Sequence, residues 1–149
     1  MQTLILDTNV LMSSLVSTEG ITRTSLAILL HTDNCEVVAP AELSEELRAH
    51  SKEISAKAGL THQQLEEALD RLLENVEFVP LSGYNSSLKG ALKLVRDETD
   101  APFAALALAR SPSTIITYNK KHFKSRELLR LGVQVLTPAV AVSRSRRGD

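Results

Sequence analysis

The stretch Leu4-Ile-Leu-Asp-Thr-Asn9 limits what this chain can fold into more than any other. Three consecutive apolar residues, too few for a helix, read as a strand covered on both faces. Strands of that kind belong to parallel sheets with helices above and below. The run ends in Asp7, and a carboxylate at the end of a buried strand is costly unless something uses its charge. In open parallel sheets the carboxyl edge of a central strand is where ligands bind. The ordinary alternative is an aspartate that caps the next segment.

The remainder alternates in the same manner. Strands are expected over 35–39, 76–81, 114–117 and 133–136, and helices over 22–31, 86–95, 101–110 and 125–131. Pro40 suits the first turn of a helix on which Leu43, Leu47 and Ile54 share a face, with Gly59 as its stop. Thr61-His-Gln-Gln64 has the form of a capping box, opening a helix striped by Leu65, Leu69, Leu72 and Leu73. Residues 103–109 are almost devoid of polar side chains, which marks a central, buried helix, and Pro102 fits only its first turn. Thr137-Pro138 starts a last helical turn. The pattern predicts an α/β fold: a three-layer α/β/α sandwich around a parallel sheet of about five strands. One domain is expected over 1–142, followed by a basic tail, 143–149, expected to be disordered.

Composition excludes several functions. The net charge of −1 leaves nucleic-acid contact to a local patch rather than to bulk charge. With no Trp, three Phe and two Tyr, base-stacking platforms built on aromatics are not expected. The single Cys35 reads as a small core residue. No apolar stretch approaches the ~20 residues of a membrane span, and no leader precedes the first strand, so a cytoplasmic protein is expected.

Placing the acids on this fold brings them to one edge. Asp7 ends strand one, and Glu46 lies in the second turn of the helix after strand two, beside the inward Leu47. Asp97 and Asp100, three apart, share one side of the first turn of the buried helix. Thr117, Tyr118 and Asn119 leave strand four at the same edge. Clustered hard oxygen ligands are what Mg²⁺ or Mn²⁺ requires, and without a cation they repel. Each acid also has an ordinary reading: Asp97 and Asp100 as helix caps, Glu46 as part of a solvated face. Lys120, Lys121, His122, Lys124, Arg126 and Arg130 surround the edge, as a phosphate-contacting rim or as a solvated loop. The tail arginines Arg144, Arg146 and Arg147 are assigned to a floppy end.

Asp7-Thr-Asn-Val-Leu, then Pro40 through Glu46-Leu47, then Asp97-Glu-Thr-Asp100-Ala-Pro-Phe-Ala-Ala, then Ile116-Thr-Tyr-Asn-Lys-Lys-His-Phe123 resemble, in order, the signature blocks of PIN domains. Gly132 through Pro138 resembles their closing strand and turn. The resemblance implies a metal-dependent ribonuclease, with many small members acting as VapC-type toxins paired with an antitoxin. It assigns catalysis to Asp7, Glu46 and Asp100, and the metal, Mg²⁺ or Mn²⁺, to Asp7, Asp100, Asp97 and Glu46. At the fourth block, where the family carries an aspartate, this chain has Asn119 or Lys120. Asn9, Thr117, Lys121 and Lys124 are the expected substrate contacts. The implied partners are RNA, an antitoxin and a second copy, the last through the helical side of residues 25–30 and 61–73. The missing fourth acid supports a rival, a degenerate PIN domain that binds RNA or protein without cutting. A phosphoaspartyl transfer domain is a second rival, disfavoured because Asp7-Thr-Asn9 lacks a second aspartate two residues on.

Overall fold

The computed structural model describes residues 2–16, 21–31 and 33–146. Five parallel strands form one sheet in the order β3-β2-β1-β4-β5. They are β1 (Gln2–Leu6), β2 (Cys35–Pro40), β3 (Glu77–Val79), β4 (Ser113–Ile116) and β5 (Val133–Leu136). The chain steps from β1 to β2 to β3 in one direction, then crosses to β4 and β5 in the other. Right-handed crossovers place leftward and rightward connections on opposite faces, which yields the expected three layers. One face receives α1 (Thr8–Val16), α2 (Ile21–Leu30), α3 (Glu42–Ala49), α4 (Ser51–Ala58) and α5 (His62–Leu73). The other receives α6 (Asn85–Ala91), α7 (Ala101–Ala109) and α8 (Ser125–Arg130). The last helix, α9 (Pro138–Arg146), returns to pack on α2.

The sheet's interior strands are apolar because helices cover both of their faces. Leu4, Ile5 and Leu6 of β1 are all buried. The apolar segment expected to be central is α7, which lies across β1, β2 and β4 and packs against α6. Its alanines at 101, 104, 105 and 107 are buried, and their small size lets the helix approach the sheet closely. Thr61 caps α5 as foreseen, with its hydroxyl accepting from Gln64 N and the Gln64 side chain accepting from Thr61 N. Gly59 terminates α4 with φ +68°, a conformation that costs glycine nothing.

Four expectations need correction. Pro40 ends β2 instead of opening a helix, and the next helix begins at Glu42. The single helix expected there is two, α3 and α4, broken at His50. A helix that was not anticipated, α1, follows Asp7 directly. Residues 143–146, assigned to a disordered tail, continue α9, where the Arg144 guanidinium donates to Gln134 Oε1 at 3.1 Å. Arg147 and the two residues after it lie outside the described residues. Among the described residues, no helix is long and apolar enough to cross a membrane.

Candidate active site

The strand order reverses between β1 and β4, so their carboxyl ends border the crevice where doubly wound sheets take ligands. Leu6 lies opposite Ile116 in the register, which sets Asp7 beside Thr117 at that edge. The Asp7 N–H donates to Ile116 O at 3.0 Å, fixing the backbone there.

Asp7 is 4% exposed and is held by three donors. Thr8 N donates to Oδ1 at 2.7 Å, while Thr117 Oγ1 at 2.7 Å and Asn9 Nδ2 at 3.2 Å donate to Oδ2. Burial still wins, raising the carboxyl above its ordinary pKa against the opposing pull of these donors.

Asp100 precedes α7 and is buried. Its carboxylate makes no capping hydrogen bond; Asp97 does the capping, with Oδ1 accepting from Thr99 N at 3.0 Å and from Thr99 Oγ1 at 2.8 Å. Those bonds hold exposed Asp97 below the usual carboxylate range. Asp100 goes the opposite way, pushed up to about 6 by burial first and the nearby Asp7 charge second. Its Oδ2 is buried and accepts no hydrogen bond. His122 Nδ1 stands 3.3 Å from that atom, without hydrogen-bond alignment. A buried carboxylate oxygen that accepts no hydrogen bond costs on the order of 1–3 kcal/mol, so this one has room for a further ligand.

Glu46 is exposed on α3 and reaches the same edge through Thr8, whose hydroxyl donates to Oε2 at 3.4 Å. One turn earlier Glu42 accepts from the Tyr84 hydroxyl at 3.0 Å, which ties α3 to the far layer and leaves Tyr84, pushed up to about 12 by burial and this carboxylate, neutral. Asp7 and Asp100 are both buried, with Asp100 feeling the Asp7 charge, whereas Asp97 and Glu46 are exposed. Among the described residues, no three His, Cys, Asp or Glu side chains form a ready-made metal cage. Two carboxylates with one unsatisfied oxygen do suit a hard cation such as Mg²⁺, which keeps several waters and commonly takes one or two protein carboxylates.

Two expected substrate contacts, Thr117 and Asn9, are hydrogen-bonded to Asp7. Thr117 is fully buried; its hydroxyl donates to Asp7 Oδ2 and accepts from Asn119 N at 3.0 Å. Asn9 bonds Asp7 through Nδ2, approaches Thr117 Oγ1 at 3.4 Å, and accepts from Tyr118 N through Oδ1 at 3.2 Å. Both side chains therefore hold the Asp7 carboxylate in place. Asn119 stands half-buried beside them, a short amide where the fourth acid was sought.

A short antiparallel bridge, Val95 to Phe123, pins the basic loop to the segment before Asp97. Arg96 N donates to His122 O, Lys124 N donates to Leu94 O, and the Arg96 guanidinium binds the carbonyls of Lys121 and Phe123. His122 is thereby set against Asp100, a pairing that local sequence pattern had no means of revealing. Lys121 is exposed and Lys124 half-buried along an open 740 Å³ cavity that is also lined by His122, the neighbour of Asp100.

The sequence matches the PIN domain family over residues 5–134. No curated protein sequence matches it. Among solved structures, VapBC2 from Rickettsia felis, crystallised with a DNA fragment from their promoter, superposes with a TM-score of 0.61 at 18% identity, covering 90% of this chain and 98% of that one. FitAcB from Neisseria gonorrhoeae gives 0.59 at 19% identity, covering 91% and 98%. Those likenesses carry the fold, and the family match spans most of the chain: this protein belongs to the PIN domain family.

Proposed function

We propose that the protein is a divalent-metal-dependent ribonuclease acting in the cytoplasm as the toxin of a toxin–antitoxin pair. The carrying observation is the Asp7–Asp100 pair: two buried carboxylates, each raised by burial, one with an oxygen that accepts no hydrogen bond, at the switch point of the sheet. Asp7 and Asp100 would hold Mg²⁺ or Mn²⁺, with Asp97 and Glu46 near enough to reach its waters. Such an ion supplies Lewis acidity at a phosphodiester and a more acidic bound water. Thr117 and Asn9 orient Asp7, and Glu46, linked to Thr8, is placed to accept a proton at the rim. Lys121 and Lys124 offer charge to the phosphates of the RNA. Purified protein should cleave single-stranded RNA with Mn²⁺ or Mg²⁺ and lose that activity in EDTA. Binding without cleavage at any metal concentration would leave the degenerate module, which Asn119 in place of a fourth acid favours.

Recognition of the antitoxin is assigned to a 480 Å³ groove lined by Leu15, Leu26, Leu30, Leu60 and Leu72, with Glu67 and Arg71 on its exposed side. A concave apolar surface suits a convex helical segment of the partner. The homodimer, proposed on apolar excess in α2 and α5, competes for these same helices, although a second copy related by a two-fold would set groove against groove. Leu72→Glu decides between them by sedimentation at tens of micromolar. A wild-type dimer that the substitution dissociates puts a second copy in the groove; an unchanged assembly leaves the groove to the antitoxin.

A further inference from the structure

We propose that His122 gives Nδ1 to the divalent ion held by Asp100, a nitrogen ligand that makes up for the absent fourth acid and favours a transition ion such as Mn²⁺ over Mg²⁺; this rests on the metal-dependent reading above. Asp100 Oδ2 is buried and accepts no hydrogen bond. His122 Nδ1 stands 3.3 Å from it, without hydrogen-bond alignment. Two ligands about 2.1 Å from one ion lie about 3.0 Å apart at a right angle and about 3.4 Å apart at the tetrahedral angle. The observed separation falls between those limits. The two atoms are therefore spaced as neighbouring ligands of one ion are, side by side rather than donor to acceptor.

The backbone holds His122 in that place from both sides. Its N–H donates to Asn119 O at 2.9 Å, and its carbonyl accepts from Arg96 N at 2.8 Å. The next residue, Phe123, is buried in the core and bridges Val95. The loop that carries the histidine is thus joined to the segment that leads into Asp97 and Asp100. Among the described residues, His122 is the one basic side chain close enough to influence Asp7, Asp97 and Asp100 alike; the lysines of the same loop influence none of them. The ring is half-buried and lines the open cavity, which gives an ion a path from solvent. The ion must draw Asp7 in to complete the set, since among the described residues no three such side chains form a ready-made cage. Mg²⁺ is held by oxygen, whereas first-row transition ions also take imidazole, so a nitrogen at this position sets the order of preference.

The test uses the full chain, stripped with EDTA and refilled with Mn²⁺ alone, without RNA. Pulsed electron paramagnetic resonance of the bound Mn²⁺ should show modulation from a directly bound nitrogen, and the pattern should change when the histidines carry ¹⁵N. His122→Ala should lose that modulation and bind Mn²⁺ about 10-fold more weakly or worse, since even partners behind a metal ligand commonly matter by 10–100-fold. Its affinity for Mg²⁺ should fall by a smaller factor. His31, His50 and His62 remain in the variant, so loss of the signal identifies His122. Bound Mn²⁺ without nitrogen modulation in the wild type, or modulation that persists in His122→Ala, overturns the assignment while the carboxylate site and the ribonuclease reading stand. Wild-type protein that binds neither ion overturns both.

Discussion

Replacing Asp100 by Asn should abolish metal-dependent RNA cleavage, by about 100-fold or more, while making the metal-free protein more stable near neutral pH. The first half follows if Asp100 holds the cation, whose stabilisation of charge at phosphorus contributes several kcal/mol. The second follows from the buried, repelled carboxylate. Its pKa is about 6 in the folded protein against an ordinary value of 3.8. The folded state thus binds the proton more tightly than the unfolded one, and metal-free stability falls as pH rises from about 4 through about 6. Discounted for solvent screening, the loss is about 1–2 kcal/mol, or about 3–8 °C in Tm for a chain of this size. Asn carries no charge at any pH, so the wild-type and mutant curves should run together below pH 4 and separate above pH 6, with the mutant higher. Mn²⁺ at 100 times its Kd should raise the wild-type Tm through about 2.7 kcal/mol of selective binding, and should leave the mutant unmoved. Capping does not enter, because Asp97 provides the cap and Asp100 makes no capping bond. A mutant that keeps both cleavage and the Mn²⁺ shift would remove the metal site and leave only the fold.

The layered fold could be read from the sequence because strands and helices announced themselves by different periods. The capping box at Thr61 and the uniformly apolar segment of α7 are local signals with one structural meaning each. Helix α1 was missed for a reason visible in its composition: Thr8 through Val16 is rich in β-branched and hydroxyl side chains and shows no polar face. The break at His50 was hidden because Leu43, Leu47 and Ile54 are spaced to share a face whether or not the helix is continuous. At the site, sequence placed Asp7, Glu46, Asp97 and Asp100 at one edge but could not sort them. Asp97 and Asp100 look alike in a sequence, both acids at a helix start; only the 3-10 turn over Glu98–Asp100 decides that the first caps and the second is buried. The pairings of Thr117 with Asp7 and of His122 with Asp100 join residues 110 and 22 apart, and no period encodes them.

Thr117→Val should raise the Mn²⁺ concentration needed for half-maximal cleavage by about 10-fold or more and lower the Tm, whereas Thr117→Ser should do neither. The side chain is fully buried, and valine matches its shape, so the change isolates the hydroxyl. That hydroxyl donates to Asp7 Oδ2 at 2.7 Å and accepts from Asn119 N at 3.0 Å. Its removal strands a donor and leaves a buried carboxylate short of one, at a cost of about 1–3 kcal/mol, equivalent to about 3–10 °C. Among the influences that restrain Asp7, the Thr117 bond is the largest, so its loss pushes an already raised pKa further up. A divalent ion must then displace a more tightly held proton, and partners behind a metal ligand commonly matter by 10–100-fold in affinity. The same reasoning fixes the pH response. Raising the pH strips the proton from Asp7 directly, so the Mn²⁺ requirement of Thr117→Val should approach that of the wild type in alkaline buffer and diverge from it in acid. A valine variant with a lower Tm but a wild-type metal requirement at every pH would show that the hydroxyl supports the fold alone, and that Asp7 needs no such partner to bind an ion.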